Sequence, residues 1–311
     1  MRAWQFEGTG KPIAMNEVAE PAPGPQEVII DVKAAGLCHS DIMYMQVGES
    51  VMPFLPMTQG HENAGVISAL GEGVEGWQVG DVVGVCSSGV RPPLGMFAHG
   101  GFADKLVADA ADLARVPAGL DLSLAALATD AGMTSYHAII KAGGASAGMK
   151  VGVIGYGGLG QIGARAAVLT GAEVHVAETK ESVWGLATAA GVTGVVRDAA
   201  EWAGQGFDLV VDYAGFDTTQ KAIDAVRRGG KVVQVGLGAP TFTISSNTIL
   251  GKSLVGSLGG TVQDIEEVFD LMLRGEIEPV YTQIAFDEIG AGLERLRNNE
   301  VTGRLVARFG D

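Results

Sequence analysis

At 311 residues, with 47% hydrophobic and 18% charged positions, the chain is globular in composition and long enough for two domains of ordinary size. A net charge of −15 opposes a phosphate backbone or an anionic membrane surface, which excludes nucleic acid and membrane as partners. Two cysteines form no disulfide framework, no apolar run reaches membrane-spanning length, and MRAWQFEGTGK lacks a signal-peptide core, so a reducing cytoplasm is expected.

Through about residue 120, β-rich runs such as EVIIDVKAAG and AGVISALG alternate with Gly/Pro turns, including PAPGPQ and SSGVRPPLG. This predicts a mainly antiparallel, β-rich domain. Within it, GLCHSD places Cys38 between a strand-like and a helix-like run, and TQGHENAGVISALGEGV sets His61 and Glu62 between glycines at the start of a strand. From about Leu124 the texture changes. KVGVIGYGG, AEVHVAE, FDLVVDYAG, GGKVVQVG and KSLVGSLGG are short apolar runs, most of them joined by helical patterns such as TTQKAIDAVRR. Such alternation predicts a parallel sheet with helices on both faces. After Gly260 follow a helix in TVQDIEEVFDLMLRGE, a strand at Ile284 to Phe286, a helix around Leu293 and a closing strand RLVARF. These last strands are expected to return to the first domain, because the parallel sheet already has its usual complement. The fold class is α/β, with a β-rich catalytic domain over 1–131 and 260–311 and a doubly wound dinucleotide-binding domain over 132–259.

GYGGLG, Gly155 to Gly160, fits G-x-G-x-x-G and stands between an apolar strand and the helix-like QIGARAAVLTG. Gly155 permits the tight turn, Gly157 lets a pyrophosphate approach the backbone, and Gly160 allows helix to pack closely on strand; Gly158 and Leu159 complete the loop. Glu178 lies 23 positions past Gly155, near the roughly 20 expected of an acid that accepts ribose hydroxyls. It favours NAD. A 2′-phosphate about 4 Å from that carboxylate meets a repulsion of roughly 4 kcal/mol at an effective dielectric near 20. Lys180 keeps NADP as the alternative.

GLCHSD, the G-H-E-x-x-G-x5-G-x-x-V pattern from Gly60 to Val74, WQVGDVV, GGFADKLV and GYGGLG together resemble the zinc-dependent alcohol dehydrogenases of the medium-chain dehydrogenase/reductase family, in that family's order along the whole chain. The resemblance implies a GroES-like catalytic domain, a Rossmann coenzyme domain, one catalytic zinc, NAD(H), and an alcohol, aldehyde or ketone as substrate. The family's zinc is held by Cys, His and usually a second Cys. Cys38 and His61 match the first two, and the third position, in ATDAGMTSYHAI, is Asp130. A carboxylate is a competent zinc ligand at roughly 2.0–2.2 Å; the competing reading is that Asp130 only caps the following helix.

The resemblance further implies that Ser40 removes the alcohol proton, Asp41 orients His61, and Glu62 is the acid behind the zinc. It places His39 and Arg304 at the pyrophosphate and Thr134 along the cofactor, and Val235 and Leu237 at the end of a strand where the family's backbone meets the nicotinamide amide. Two departures stand out. Met43 occupies the position where many relatives complete the proton relay with histidine, and Cys86 stands alone where a four-cysteine lobe would bind a structural zinc. Cys86 is expected to pack as a small apolar residue, and His99, His137 and His175 to be structural. The rival activities are reduction of a conjugated C=C or iminium bond, a zinc-free quinone reductase, and a cofactor-binding subunit without catalysis. A homodimer or homotetramer paired through the edge strand near KSLVGSLGG is implied.

Overall fold

The computed structural model describes residues 1–90 and 93–310; Arg91 and Pro92, within the turn SSGVRPPLG, lie outside the described residues. The chain divides into two compact units, one of Met1–Met133, Gly260–Gly275 and Val280–Asp311, the other of Thr134–Gly259 and Glu276–Pro279. The second unit thus starts at Thr134 rather than residue 132. It also takes in Glu276–Pro279 from the returning segment, where Arg165 Nε donates to the Glu276 carbonyl at 2.7 Å.

In the first unit the 11-residue strand Glu27–Leu37 is the organising element. It pairs antiparallel with Glu62–Leu70, with Lys105–Asp109 and with Arg304–Arg308, so the closing strand does return to the first unit. Tyr281–Ala285 joins Arg304–Arg308 in parallel, the exception in an otherwise antiparallel sheet. The β-branched and apolar residues of these strands turn inward, and Ile30, Leu37, Ile67 and Leu106 are completely or almost completely buried. A helix Leu122–Leu127 begins where Asp121 accepts from the Ser123 amide at 2.7 Å. It continues without a break into a π-helical turn, Ala128–Gly132.

The second unit holds a six-stranded parallel sheet in the order Gly194–Val196, Glu173–Ala177, Lys150–Ile154, Phe207–Asp212, Val226–Gln234, Ser253–Gly256. That is the doubly wound order 3-2-1-4-5-6, in which ligands bind at the carboxyl end of the first strand where the order reverses. Trp202 and Phe207, with ring centroids 4.9 Å apart, anchor one of its cores. The pattern TTQKAIDAVRR is helical only over Thr219–Ala225. Val226, Arg227 and Arg228 open the next strand instead, because Val226 pairs with Phe207 and Arg227 Nε is held by Asp208 Oδ1 at 2.6 Å. Among the described residues, no helix is long and apolar enough to cross a membrane.

Candidate metal centre and cofactor loop

Cys38 sits at the junction of the strand Glu27–Leu37 and the helix His39–Val47, in the N-cap position. The helix start is fastened by Asp41, whose Oδ2 accepts from the Cys38 amide at 2.9 Å. Its other oxygen, Oδ1, lies 2.9 Å from His61 Nδ1. A carboxylate only accepts, so Nδ1 carries the hydrogen and Nε2 is turned toward Asp130, whose Oδ2 is 3.4 Å away. One buried acid therefore orients both Cys38 and His61. Burial opposes the imidazolium of His61, yet Asp41, Asp130 and Cys38 hold its pKa well above the ordinary value. A metal ion bound by the same nitrogen competes with that proton.

Glu62 follows at the start of its strand and is fully buried. Arg304 Nη2 donates to Glu62 Oε1, joining residues 242 positions apart. Burial pushes the Glu62 carboxyl up to about 7, against the pull of Arg304. Burial likewise works against the Arg304 guanidinium, but Glu62 and Cys38 raise its pKa above the usual value. Gly36 in GLCHSD is explained here, since a Cβ at that position would stand 1.9 Å from Glu62 Oε2.

Asp130 lies within the π-helical turn of a continuous helix and has helical neighbours on both sides, so it does not cap a helix start; Asp121 does that. The capping alternative is thereby corrected. One ligand atom each from Cys38, His61, Glu62 and Asp130 falls within 4.8 Å of the others. Sulfur, nitrogen and oxygen donors at this spacing suit zinc. Two features of the protein support the fit: Glu62 Oε2 is buried without a hydrogen-bond partner among the described residues, and the Asp130 side chain is 18% exposed, which leaves one side of the cluster accessible. Ser40 is half-buried on the first helical turn, its Oγ 3.6 Å from Cys38 Sγ.

Two neighbours of the cluster escaped the sequence reading. Tyr44, one helical turn beyond Ser40, sets its ring 6.1 Å from that of His61. Ser87 places its Oγ 3.5 Å from Asp130 Oδ1. No spacing rule points to either; an aromatic at i+4 from Ser40 was the available signal for Tyr44. Of the other expected residues, His39 is exposed on the first turn of its helix, whereas Arg304 is 3% exposed and bonded to Glu62. Cys86 is buried with Sγ 3.6 Å from Met133 Sδ, His99 Nδ1 accepts from the Thr58 amide at 3.1 Å, and His175 Nε2 lies 2.6 Å from Glu173 Oε1.

In the second unit the glycine loop has the form that a dinucleotide requires. Gly155 adopts φ +86°, and a Cβ on Gly160 would stand 1.8 Å from the Gly155 carbonyl oxygen. Gly157 faces open space, since among the described residues a Cβ there would meet nothing within 4 Å beyond its chain neighbours, and the helix Gly160–Leu169 points its N-terminus at the loop. Glu178 is fixed by two backbone donors, the Tyr156 amide on Oε2 and the Lys180 amide on Oε1, both at 2.7 Å. Thr134 is buried, the Val235 amide donates to the Asp212 carbonyl at 3.0 Å, and Leu237 is 65% exposed. Gly160→Ala is expected to displace the loop from the helix and to weaken NADH binding by about tenfold or more, roughly 1.4 kcal/mol. Fluorescence titration of NADH checks this, and unchanged affinity would refute the role of the close approach.

Residues 24–118 match the alcohol dehydrogenase GroES-like domain, and residues 158–274 match the zinc-binding dehydrogenase domain. An alcohol dehydrogenase of Geobacillus stearothermophilus is 30% identical over 336 aligned residues, covering 99% of each chain. Acetophenone reductase from Geotrichum candidum, solved in complex with NAD, superposes with a TM-score of 0.89 at 29% identity over 100% of this chain and 97% of its own. A cobalt- and zinc-bound thermostable alcohol dehydrogenase from Pyrobaculum aerophilum gives 0.89 at 26% identity, covering 99% of both. With the four-residue donor cluster in one unit and the glycine loop in the other, this chain belongs to the zinc-binding alcohol dehydrogenases of the medium-chain dehydrogenase/reductase family, enzymes of alcohol–carbonyl oxidoreduction.

Proposed function

We propose that Cys38, His61 and Asp130 hold one catalytic zinc, with Glu62 behind it, and that the loop Gly155–Gly160 and Glu178 bind NAD(H). The observation that carries this reading is the convergence of thiol, imidazole and carboxylate donors within 4.8 Å in a largely buried cluster. When bound, zinc supplies a Lewis acid for the substrate oxygen, and NAD accepts or returns the hydride. Asp41 keeps His61 Nε2 free for ligation by engaging Nδ1. Cys38 and Asp130 contribute the two anionic donors that balance a divalent cation. Ser40, beside Cys38, takes the proton of the alcohol; Met43 cannot carry it further, so it leaves Ser40 toward ribose and water. Glu178 directs its fixed carboxylate to the adenosine ribose, which favours NAD over NADP.

Dialysis against a chelator is expected to abolish alcohol oxidation with NAD, and added zinc to restore it, measured as NADH formation over a panel of primary and secondary alcohols. Full activity in zinc-free protein would reject the reading. Met43 supports one second reading, reduction of a conjugated C=C or iminium bond, and NADH consumption on such substrates without turnover of any alcohol would select it.

The assembly we infer is a homodimer, or a homotetramer built from it. The strand Ser253–Gly256 pairs with Val226–Gln234 on one side and stands at the end of the sheet, while nearby Val255 and Leu258 are 37% and 89% exposed. We place the enzyme in the cytoplasm, where the free thiols of Cys38 and Cys86 stay reduced.

A further inference from the structure

Replacing a thiolate by a carboxylate in a metal site raises a problem that sulfur does not pose. A thiolate offers one donor atom, whereas a carboxylate binds through one oxygen or through both. One oxygen leaves a fourth position open beside three protein ligands; two oxygens crowd it. Asp130 has its two oxygens in different surroundings. Oδ2 faces His61 Nε2 at 3.4 Å, among the donor atoms, and Oδ1 faces the Ser87 hydroxyl at 3.5 Å.

Ser87 stands two residues past the strand Val82–Val85 and is 7% exposed. The adjacent hydroxyl, that of Ser88, is turned elsewhere, to the carbonyl and amide of Gly260 at 3.5 and 3.4 Å. Facing a carboxylate, the Ser87 hydroxyl must donate. The separation is at the long end for a bond to a charged acceptor. Asp130 also springs from a π-helical turn, a local widening of the helix often found where a side chain must be aimed.

We propose that Ser87 is a positioning residue for the metal centre: its hydroxyl holds Asp130 Oδ1 and commits the carboxylate to monodentate ligation through Oδ2, keeping the substrate's coordination position open. The inference rests on Asp130 being a metal ligand.

The test uses full-length protein stripped by a chelator and reloaded with cobalt(II), in wild type, Ser87→Ala, Ser87→Thr and Asp130→Ala. Metal affinity is read by chelator competition and coordination by the visible cobalt spectrum, which is most intense for four ligands and weaker for five. Ser87→Ala is expected to lose about ten- to a hundred-fold in affinity and to shift its spectrum toward five-coordination. Ser87→Thr, which keeps the hydroxyl, is expected to restore both. A wild-type spectrum in Ser87→Ala, with or without weaker binding, overturns the proposal, as does a Thr variant that behaves like Ala. If Asp130→Ala loses cobalt while Ser87→Ala matches wild type, only the Ser87 role fails. If Asp130→Ala binds cobalt as wild type does, the ligand assignment fails with it.

Discussion

Asp130→Ala is expected to empty the metal centre: after dialysis against a mild chelator, wild type keeps about one zinc per chain and the variant keeps almost none. Cys38 and His61 alone provide two donors, and of Glu62 only Oε2 is left to add to them, since Arg304 engages Oε1. The variant also removes one of two negative charges that balance a divalent cation, and Asp130→Asn is expected to share most of the loss for that reason alone. Asp130→Cys, which restores an anionic soft donor, is expected to retain zinc. Loss of several kcal/mol of charge stabilisation corresponds to a fall of about 10³-fold or more in kcat/KM for alcohol oxidation. Elemental analysis of the four proteins separates these outcomes from general misfolding. Stoichiometric zinc in purified Asp130→Ala would remove Asp130 from the ligand set.

The local features of both sites could be read directly, because each depends on a few adjacent residues whose chemistry is restrictive. GYGGLG needs its glycines at fixed places, and the positive φ of Gly155 and the close approach at Gly160 are the physical reasons. The alternation of apolar runs and helices likewise implied a parallel sheet, although the strand order 3-2-1-4-5-6 comes from tertiary pairing that periodicity does not encode. What escaped was set by distance along the chain. Arg304 meets Glu62 across 242 positions, and Ser87 meets Asp130 across 43, so neither pairing leaves a local pattern. The end of TTQKAIDAVRR departs from its helical pattern for a related reason. Val226 to Arg228 continue a helical period, but pairing of Val226 with Phe207 overrides that local preference.

Arg304→Met is expected to destabilise the protein by about 3–5 kcal/mol, the usual cost of leaving one partner of a buried ion pair without the other. Arg304 and Glu62 are 3% and 0% exposed, and among the described residues Glu62 Oε2 has no hydrogen-bond partner to take up the charge that Arg304 offsets. The loss has a definite pH dependence. The carboxyl of Glu62 already stands at about 7, above its ordinary 4.5, because burial outweighs the attraction of Arg304. Removing the guanidinium raises it further. A raised folded-state pKa means that Glu62 contributes most favourably below the unfolded value and loses that contribution as pH rises through the folded one. The variant's deficit is therefore small near about pH 5, where Glu62 is largely neutral, and grows toward about pH 8. Glu62→Met in the same chain is expected to recover most of the stability, since an apolar pair of similar volume is often as stable as the buried ion pair that it replaces. Urea unfolding of metal-free wild type, Arg304→Met and the double variant at both pH values measures this. A deficit in Arg304→Met that does not change with pH, or that the second substitution leaves in place, would assign the loss to packing of the Arg304 stem rather than to an unpaired Glu62.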